Sequence, residues 1–400
     1  MYAVVPSDLA TIYNMNPLFN SGYSGKGETV AAIENTNVYS GSDWNTFRST
    51  FGLTSYTSGS FVTVHPAPKK GPDNCTNPGV IAPNDAEAIL DAEWASASAP
   101  DATIEMASCA DTTTIFGGMI AIQNLINASG TPPGIISISY GECEPESGAA
   151  ANAAYNAAYQ QAVAEGVSVF VATGDSGAAA CNYNDPWATN GIAVNAFAST
   201  PYNVAVGGTD FSDTYAGTNS TYWASTNSST YKSAISYVPE IPWNDSCASQ
   251  LIAEYYGYST TYGTNGFCNS WVVYLYYAVY DELLTTAAGG GGPSRCATGA
   301  PSISGVVSGS CKGYAKPSWQ SDVIGILKDG VRDLPDVALF AANGFWSHYY
   351  VFCWSDVAHG GSPCTGPPSG WSGAGGTSFA SPDNGWHPGP SKPKEWCAAR

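Results

Sequence analysis

Positive charge is what this chain of 400 residues has least of. Lys and Arg number 13 against 32 Asp and Glu, a formal net charge of -19, and no Lys or Arg falls between Lys70 and Lys232. Such a surface repels polyanions, which excludes nucleic acids and anionic membranes as partners. Charge of either sign is sparse, at 11% of residues. A fold with few ion pairs loses little stability when its carboxylates are protonated, so the composition suits acidic surroundings. The longest apolar run, Trp271 to Tyr280, is far shorter than the roughly 20 residues a bilayer span requires. Met1 to Leu9 lacks the basic start and apolar core of a leader, so one is expected to have been removed or left out. No two cysteines stand as C-x-x-C, which argues against a zinc or dithiol redox site.

Eleven cysteines run from Cys75 to Cys397. Their scatter reads as a disulfide set with one left over, and so as a secreted, extracellular protein. Five N-x-S/T sites, at Asn74, Asn127, Asn219, Asn227 and Asn244, would accept glycans in a eukaryotic secretory pathway. With 44% apolar residues the chain can bury a large core in one domain or two.

From Thr29 to about Gly208, short apolar runs alternate with helical stretches. Thr29–Ile33, Thr103–Ala107, Gly134–Ser139, Val167–Ala172 and Val204–Val206 read as strands covered on both faces, as in a parallel sheet. Asp85–Ser98, Thr114–Ile126 and Ala149–Glu165 read as helices. The alternation predicts an α/β fold, doubly wound, with helices on both faces of a mostly parallel sheet. From Ser212 to about Trp319 the composition turns to Tyr, Ser, Thr, Asn and Gly, predicting long insertions on the same domain. Residues 383–400 lack periodicity and are expected to form an irregular tail.

Three segments carry candidate chemistry. Gly375-Gly376-Thr377-Ser378 places a hydroxyl after small residues, where a helix can begin. Alone it reads more readily as an ordinary loop than as a nucleophile. Asn84-Asp85-Ala86-Glu87, continuing to Asp91, sets two acids four residues apart on one helix face. A capping box between Asn84 and Glu87, with Asp91 as a solvated charge, accounts for the pattern without function. Against that, neither acid has a cation within a turn, and two such acids can share a proton. The third segment, Val167 to Gly177, runs a buried strand into Gly174-Asp175-Ser176-Gly177, and the carboxyl ends of such strands assemble sites. A turn-capping Asp is the ordinary alternative.

Gly-Asp-Ser-Gly also spells the nucleophile motif of trypsin-like proteases. Those are antiparallel barrels, whereas Ser176 follows a parallel-type strand, and the upstream histidine, His65, lacks a small-residue frame. A subtilisin-type triad needs an acid ending the first strand and a His followed by Gly-Thr. The first strand here ends Ile33-Glu34-Asn35-Thr36, and none of the four histidines has that frame. If Ser378 is a nucleophile, its base is therefore expected to be an acid.

Taken in order, these pieces resemble the sedolisin, or serine-carboxyl peptidase, family, relatives of the subtilisins in which Glu replaces His. The resemblance covers most of the chain, from Pro6-Ser7-Asp8-Leu9 through Glu87-x-x-Leu90-Asp91, Ser137-Ile138-Ser139-Tyr140-Gly141, Gly174-Asp175-Ser176-Gly177, Val206-Gly207-Gly208-Thr209, Lys316-Pro317-Ser318-Trp319-Gln320 and Leu334-Pro335-Asp336-Val337 to Gly376-Thr377-Ser378. It implies that Ser378 is the nucleophile, Glu87 the base, Asp91 the acid that positions Glu87, and Asp175 the oxyanion donor. It implies also that Ser139, Tyr140 and Gly141 pair with a protein or peptide substrate, that the enzyme works in acid as a monomer, and that a pro-segment, absent here, serves as inhibitor and folding aid. The family carries calcium on a segment beyond the serine. Only 22 residues follow Ser378, with Asp383 and Glu395 as acids, so no calcium site is expected and Ser378 is expected to be poorly supported. Two rival readings follow: a catalytically impaired homologue that binds peptides, prompted by that tail, and a carbohydrate-binding surface protein, prompted by 25 Tyr and 12 Trp.

Overall fold

The computed structural model describes residues 2–383 except Asn184 and Asp281. Its centre is an eight-stranded sheet. In chain order the strands are β1 (Thr29–Glu34), β2 (Ser60–Val64), β3 (Thr103–Ser108), β4 (Ile135–Ile138), β5 (Ser168–Ala172), β6 (Val204–Phe211), β7 (Glu240–Pro242) and β8 (Val337–Phe340). Their spatial order is β8-β6-β5-β4-β1-β3-β2, all parallel, with β7 pairing antiparallel to β6. The expected α/β architecture is thus present.

Alternate strand residues enter different cores, which is why the strands read as unbroken apolar runs. Val30, Ile104 and Phe170 face one cluster with Trp94, while Ala31, Ile33, Ile136, Val169 and Val171 face the other with Tyr159. Helix α1 (Asp85–Ser98) packs on the first side. Helices α2 (Gly117–Ile126) and α3 (Glu144–Ala164) cover the second. The last of these starts earlier than its alanine run predicts: a helical turn beginning at Glu144 leads into it across Gly148, whose φ of 78° breaks the helical path there.

Within the Tyr-rich stretch, helix α4 (Trp271–Tyr280) closes over a small apolar cluster of its own around Ile252, Phe267, Leu283 and Trp346. Among the described residues no helix is long and apolar enough to cross a membrane. Five disulfides join Cys75–Cys109, Cys143–Cys181, Cys247–Cys268, Cys296–Cys311 and Cys353–Cys364. The remaining cysteine, Cys397, and the tail at 384–400 lie outside the described residues. Asp383 itself is no part of an irregular surface: it is 1% exposed and accepts a hydrogen bond from the Tyr350 hydroxyl (3.1 Å).

Candidate active site

The carboxyl ends of β1, β4 and β5 lie side by side and deliver Glu34, Ser139 and Asp175 to one region. Helix α1 brings Glu87 and Asp91 to it. The capping box does not form, since Asn84 is itself helical and its Nδ2 donates to Asn35 Oδ1 (3.3 Å). Asp91 is no solvated charge either, being fully buried. Its Oδ1 accepts from Ser139 Oγ (2.8 Å).

A third acid, unsuspected from sequence, completes the group. Glu34 is fully buried at the end of β1, and its Oε2 accepts from the Tyr140 hydroxyl (2.6 Å). Glu34 Oε1 and Asp91 Oδ2 have no ordinary donor within reach. The two carboxyl groups are hydrogen-bonding neighbours, so a proton retained by one of them is what bonds the pair. The usable signal is an acid ending a doubly covered strand in a stretch without cations.

Burial holds Asp91 and Glu34 well above the usual carboxylate range. Repulsion from Glu87 adds to the rise at Asp91, and repulsion from Asp91 and Glu87 at Glu34. Burial also pushes Glu87 up to about 8, and the neighbouring Ser378 opposes that rise. The candidate nucleophile thus lies beside the candidate base, whose Oε1 has no hydrogen-bond partner among the described residues. Ser378 Oγ lies 3.4 Å from the Ser139 carbonyl as well.

Ser378 sits in the first turn of helix α5 (Thr377–Ala380). The expectation of poor support is corrected by the next residue: Phe379 is 1% exposed and stacks on Tyr350, with centroids 4.5 Å apart. Ser381 Oγ meets Ser137 Oγ at 2.9 Å, and Ser98 Oγ donates to the Pro382 carbonyl (3.1 Å). A four-residue helix is held because its side chains are wedged between sheet and α1.

Asp175 follows β5. Its Oδ1 accepts from the Thr377 amide (2.8 Å) and hydroxyl (3.0 Å), and Thr377 Oγ1 in turn accepts from the Gly174 amide (3.0 Å). Burial raises the Asp175 pKa, and the Thr377 bonds oppose the rise. Gly376 has φ +145°, and a Cβ there would stand 2.9 Å from Asp175 Oδ2, so only glycine fits. Ser176 is buried with its hydroxyl unpartnered among the described residues, a poor position for a nucleophile. On the other side, Asn195 Nδ2 bridges the Tyr140 and Ala172 carbonyls (3.3 and 2.9 Å), and a Cβ at Gly141 would meet Asn195 at 2.3 Å.

The described histidines are engaged elsewhere: His65 with Ser108, His348 with Asp213, His359 with Asp356. Among the described residues two groups have metal-ligating spacing, Asp43 with Cys353 and Cys364, and Glu146 with Cys143 and Cys181. In each the two sulfurs are already joined as a disulfide, which leaves one carboxylate. Calcium takes six to eight oxygens, so neither group fits it. The segment expected to carry calcium falls at 384–400, outside the described residues.

No family model matches the chain. Over 209 residues it is 32% identical to kumamolisin of Bacillus sp. (strain MN-32), an alignment covering 52% of this chain and 34% of that protein. The match thus spans about a third of that relative's length. In fold it is similar to Pseudomonas sedolisin, a serine-carboxyl proteinase solved in complex with two molecules of pseudo-iodotyrostatin. The TM-score is 0.59 at 21% identity, over 96% of this chain and 78% of that one. The chain is thus similar in sequence to kumamolisin over about half of its own length, and it shares the fold of the sedolisin structure.

Proposed function

We propose that the chain is a secreted serine-carboxyl endopeptidase that acts in acid, with Ser378 as nucleophile, Glu87 as general base, Asp91 as the acid that positions Glu87, and Asp175 as oxyanion donor. The observation that carries this reading is that the fold brings Ser378 beside Glu87, next to the buried Asp91 and Glu34.

Ser378 Oγ attacks the substrate carbonyl carbon. As the Oγ–C bond forms, its proton passes to Glu87 in the form of the acid cluster that has lost one proton, and the carbonyl electron pair moves onto oxygen. Collapse breaks the C–N bond, and Glu87 hands the proton to the leaving amine. Water then repeats the sequence to release Ser378. Glu34, Asp91 and Glu87 repel one another, so ionisation of one suppresses the others and the charge belongs to the cluster. Asp175 stabilises the oxyanion through a proton on Oδ2, since Oδ1 is occupied by Thr377 and an ionised carboxylate would repel the developing charge. Ser139, Tyr140 and Gly141, extended at the end of β4, are suited to pairing with a peptide as an added strand. The enzyme acts as a monomer on protein or peptide substrates, and a pro-segment outside this sequence folds and inhibits it. No step is routed through calcium.

The test is covalent labelling by a peptide-aldehyde or acyl probe at pH 4, followed by peptide mapping. Labelling at Ser378, lost in S378A together with casein hydrolysis, is expected. An intact wild-type chain that binds peptides but is neither labelled nor active would establish the peptide-binding reading instead.

A further inference from the structure

Beside the catalytic loop lies a cavity of about 520 Å³ lined by Asp245, Tyr277, Glu282, Leu283, Asn343 and Phe345 among others. Asp245 is 5% exposed. Its Oδ2 accepts from Trp243 Nε1 (2.6 Å), but Oδ1 is buried with no partner among the described residues. An orphaned buried carboxylate oxygen costs free energy unless something fills its place. Glu282 is close enough to repel it, and no Lys, Arg or His is among the residues lining the cavity. Tyr277 and Phe345 add aromatic rings to the lining, a residue type that attracts cations electrostatically. Leu283, a bulky residue, has φ +67°, the kind of strain that collects at binding sites.

The place of the cavity in the sheet says which part of a ligand reaches it. Asp245 follows β7, which pairs with β6, and Asn343 follows β8, so both stand on the β6–β8 side of β5. Ser139–Gly141 end β4, on the opposite side of β5. The wall adjoins the catalytic residues directly. The Asp245 amide donates to the Ala287 carbonyl (2.9 Å), the next amide, Ala288, donates to the Asp175 carbonyl (3.0 Å), and a Cβ on Gly375 would stand 2.5 Å from the Asn343 nitrogen.

We infer that this cavity is a binding site for a guanidinium or ammonium group, filled by a basic side chain on the leaving-amine side of the scissile bond. The second half of that statement rests on the peptidase reading; the first half does not.

Two measurements separate the halves. Calorimetry of the full chain with agmatine at pH 7.5 should show saturable binding, weakened about tenfold in E282Q and abolished in D245N. E282Q is informative even if D245N fails to fold, because Glu282 is exposed. No binding to wild type, or binding unchanged in E282Q, overturns the site whether or not the chain cleaves peptides. Paired peptides with Arg or Gln at the three positions after the cleaved bond should then differ about fivefold or more in kcat/KM for wild type, and that difference should shrink in E282Q. Equal rates in wild type overturn the leaving-side assignment. Failure to cleave either peptide counts against the peptidase reading, while the agmatine result still decides the cavity.

Discussion

Thr377 grips Asp175 twice, by its amide at 2.8 Å and its hydroxyl at 3.0 Å, both on Oδ1. These bonds favour the ionised carboxyl, yet burial prevails and the pKa is raised. Asp175 is therefore protonated in acid, and activity should fall with rising pH as it ionises. The sign follows for two variants. Asn cannot ionise, so D175N should lose the alkaline limb of the pH-kcat profile while its acid limb stays. T377V removes one bond to the carboxylate, raises the pKa further and should move that limb to higher pH, whereas T377S should leave it in place. D175A should cost about 100-fold or more in kcat, the scale of a lost oxyanion donor. An alkaline limb unchanged in D175N would take the oxyanion role from Asp175.

Gly376 supports the same carboxyl by having no side chain. With φ +145° and Asp175 Oδ2 2.9 Å from a would-be Cβ, G376A must displace either the loop or the acid. Misplacing preorganised groups by about 1 Å costs on the order of 100-fold. The loss should appear in kcat and, because Gly376 and Thr377 are buried, the melting temperature should fall as well, with the loss of kcat persisting at temperatures where the variant is folded. Stopped-assay kinetics well below the variant's own thermal melt distinguish this from simple unfolding.

Phe379 should act in the contrary way. It is 1% exposed, stacks on Tyr350 and touches Trp94 edge-on at 6.1 Å. F379A should destabilise the fold by about 3–5 kcal/mol and should also lower kcat, since the adjacent Ser378 loses its anchor. F379L, which keeps most of the volume, should recover the larger part of both. Denaturant melts at pH 4 give the first quantity and probe-labelling rates at Ser378 the second.

Much of this arrangement is legible in the sequence. Helix α1 is readable to its ends because Pro83 and Asn84 precede it and its apolar face is unbroken. The five strands read from sequence lie between helices and are buried on both sides, so composition alone marks them. Ser60–Val64 carries no such mark because it is an edge strand with Val62 and Thr63 exposed. Val337–Phe340 is hidden because it is short and follows Pro335 and Asp336. Glu87, Asp91, Asp175 and Ser378 stand out by local frame, and the fold gathers them. Glu34 does not, since what distinguishes it is contact with Tyr140 and Asp91, which belong to distant segments. The support of Ser378 is illegible for a related reason: a short helix reads as weakly held, although its hold comes from Phe379 entering the core.

Composition suggests a fold with little to lose in acid, and the buried acids extend that to a gain. Asp8, fully buried, accepts from the Ser233 and Ala234 amides (2.7 and 2.6 Å), yet burial prevails and lifts its pKa from 3.8 to about 6. Glu93, Asp210 and Asp383 are pushed well up by the same cause. A carboxyl whose folded pKa exceeds its unfolded value binds more protons in the native state between the two values. Its contribution is fully present below the unfolded pKa and is lost as pH rises through the folded one. For Asp8 that window runs from about 4 to 6 and is worth about 3 kcal/mol at 1.36 kcal/mol per pKa unit. The melting temperature should therefore be highest near pH 4 and fall toward pH 8. In D8N, which cannot ionise, the decline between pH 4 and 6 should be shallower, and a D8N slope equal to that of wild type would show that Asp8 is not among the groups responsible.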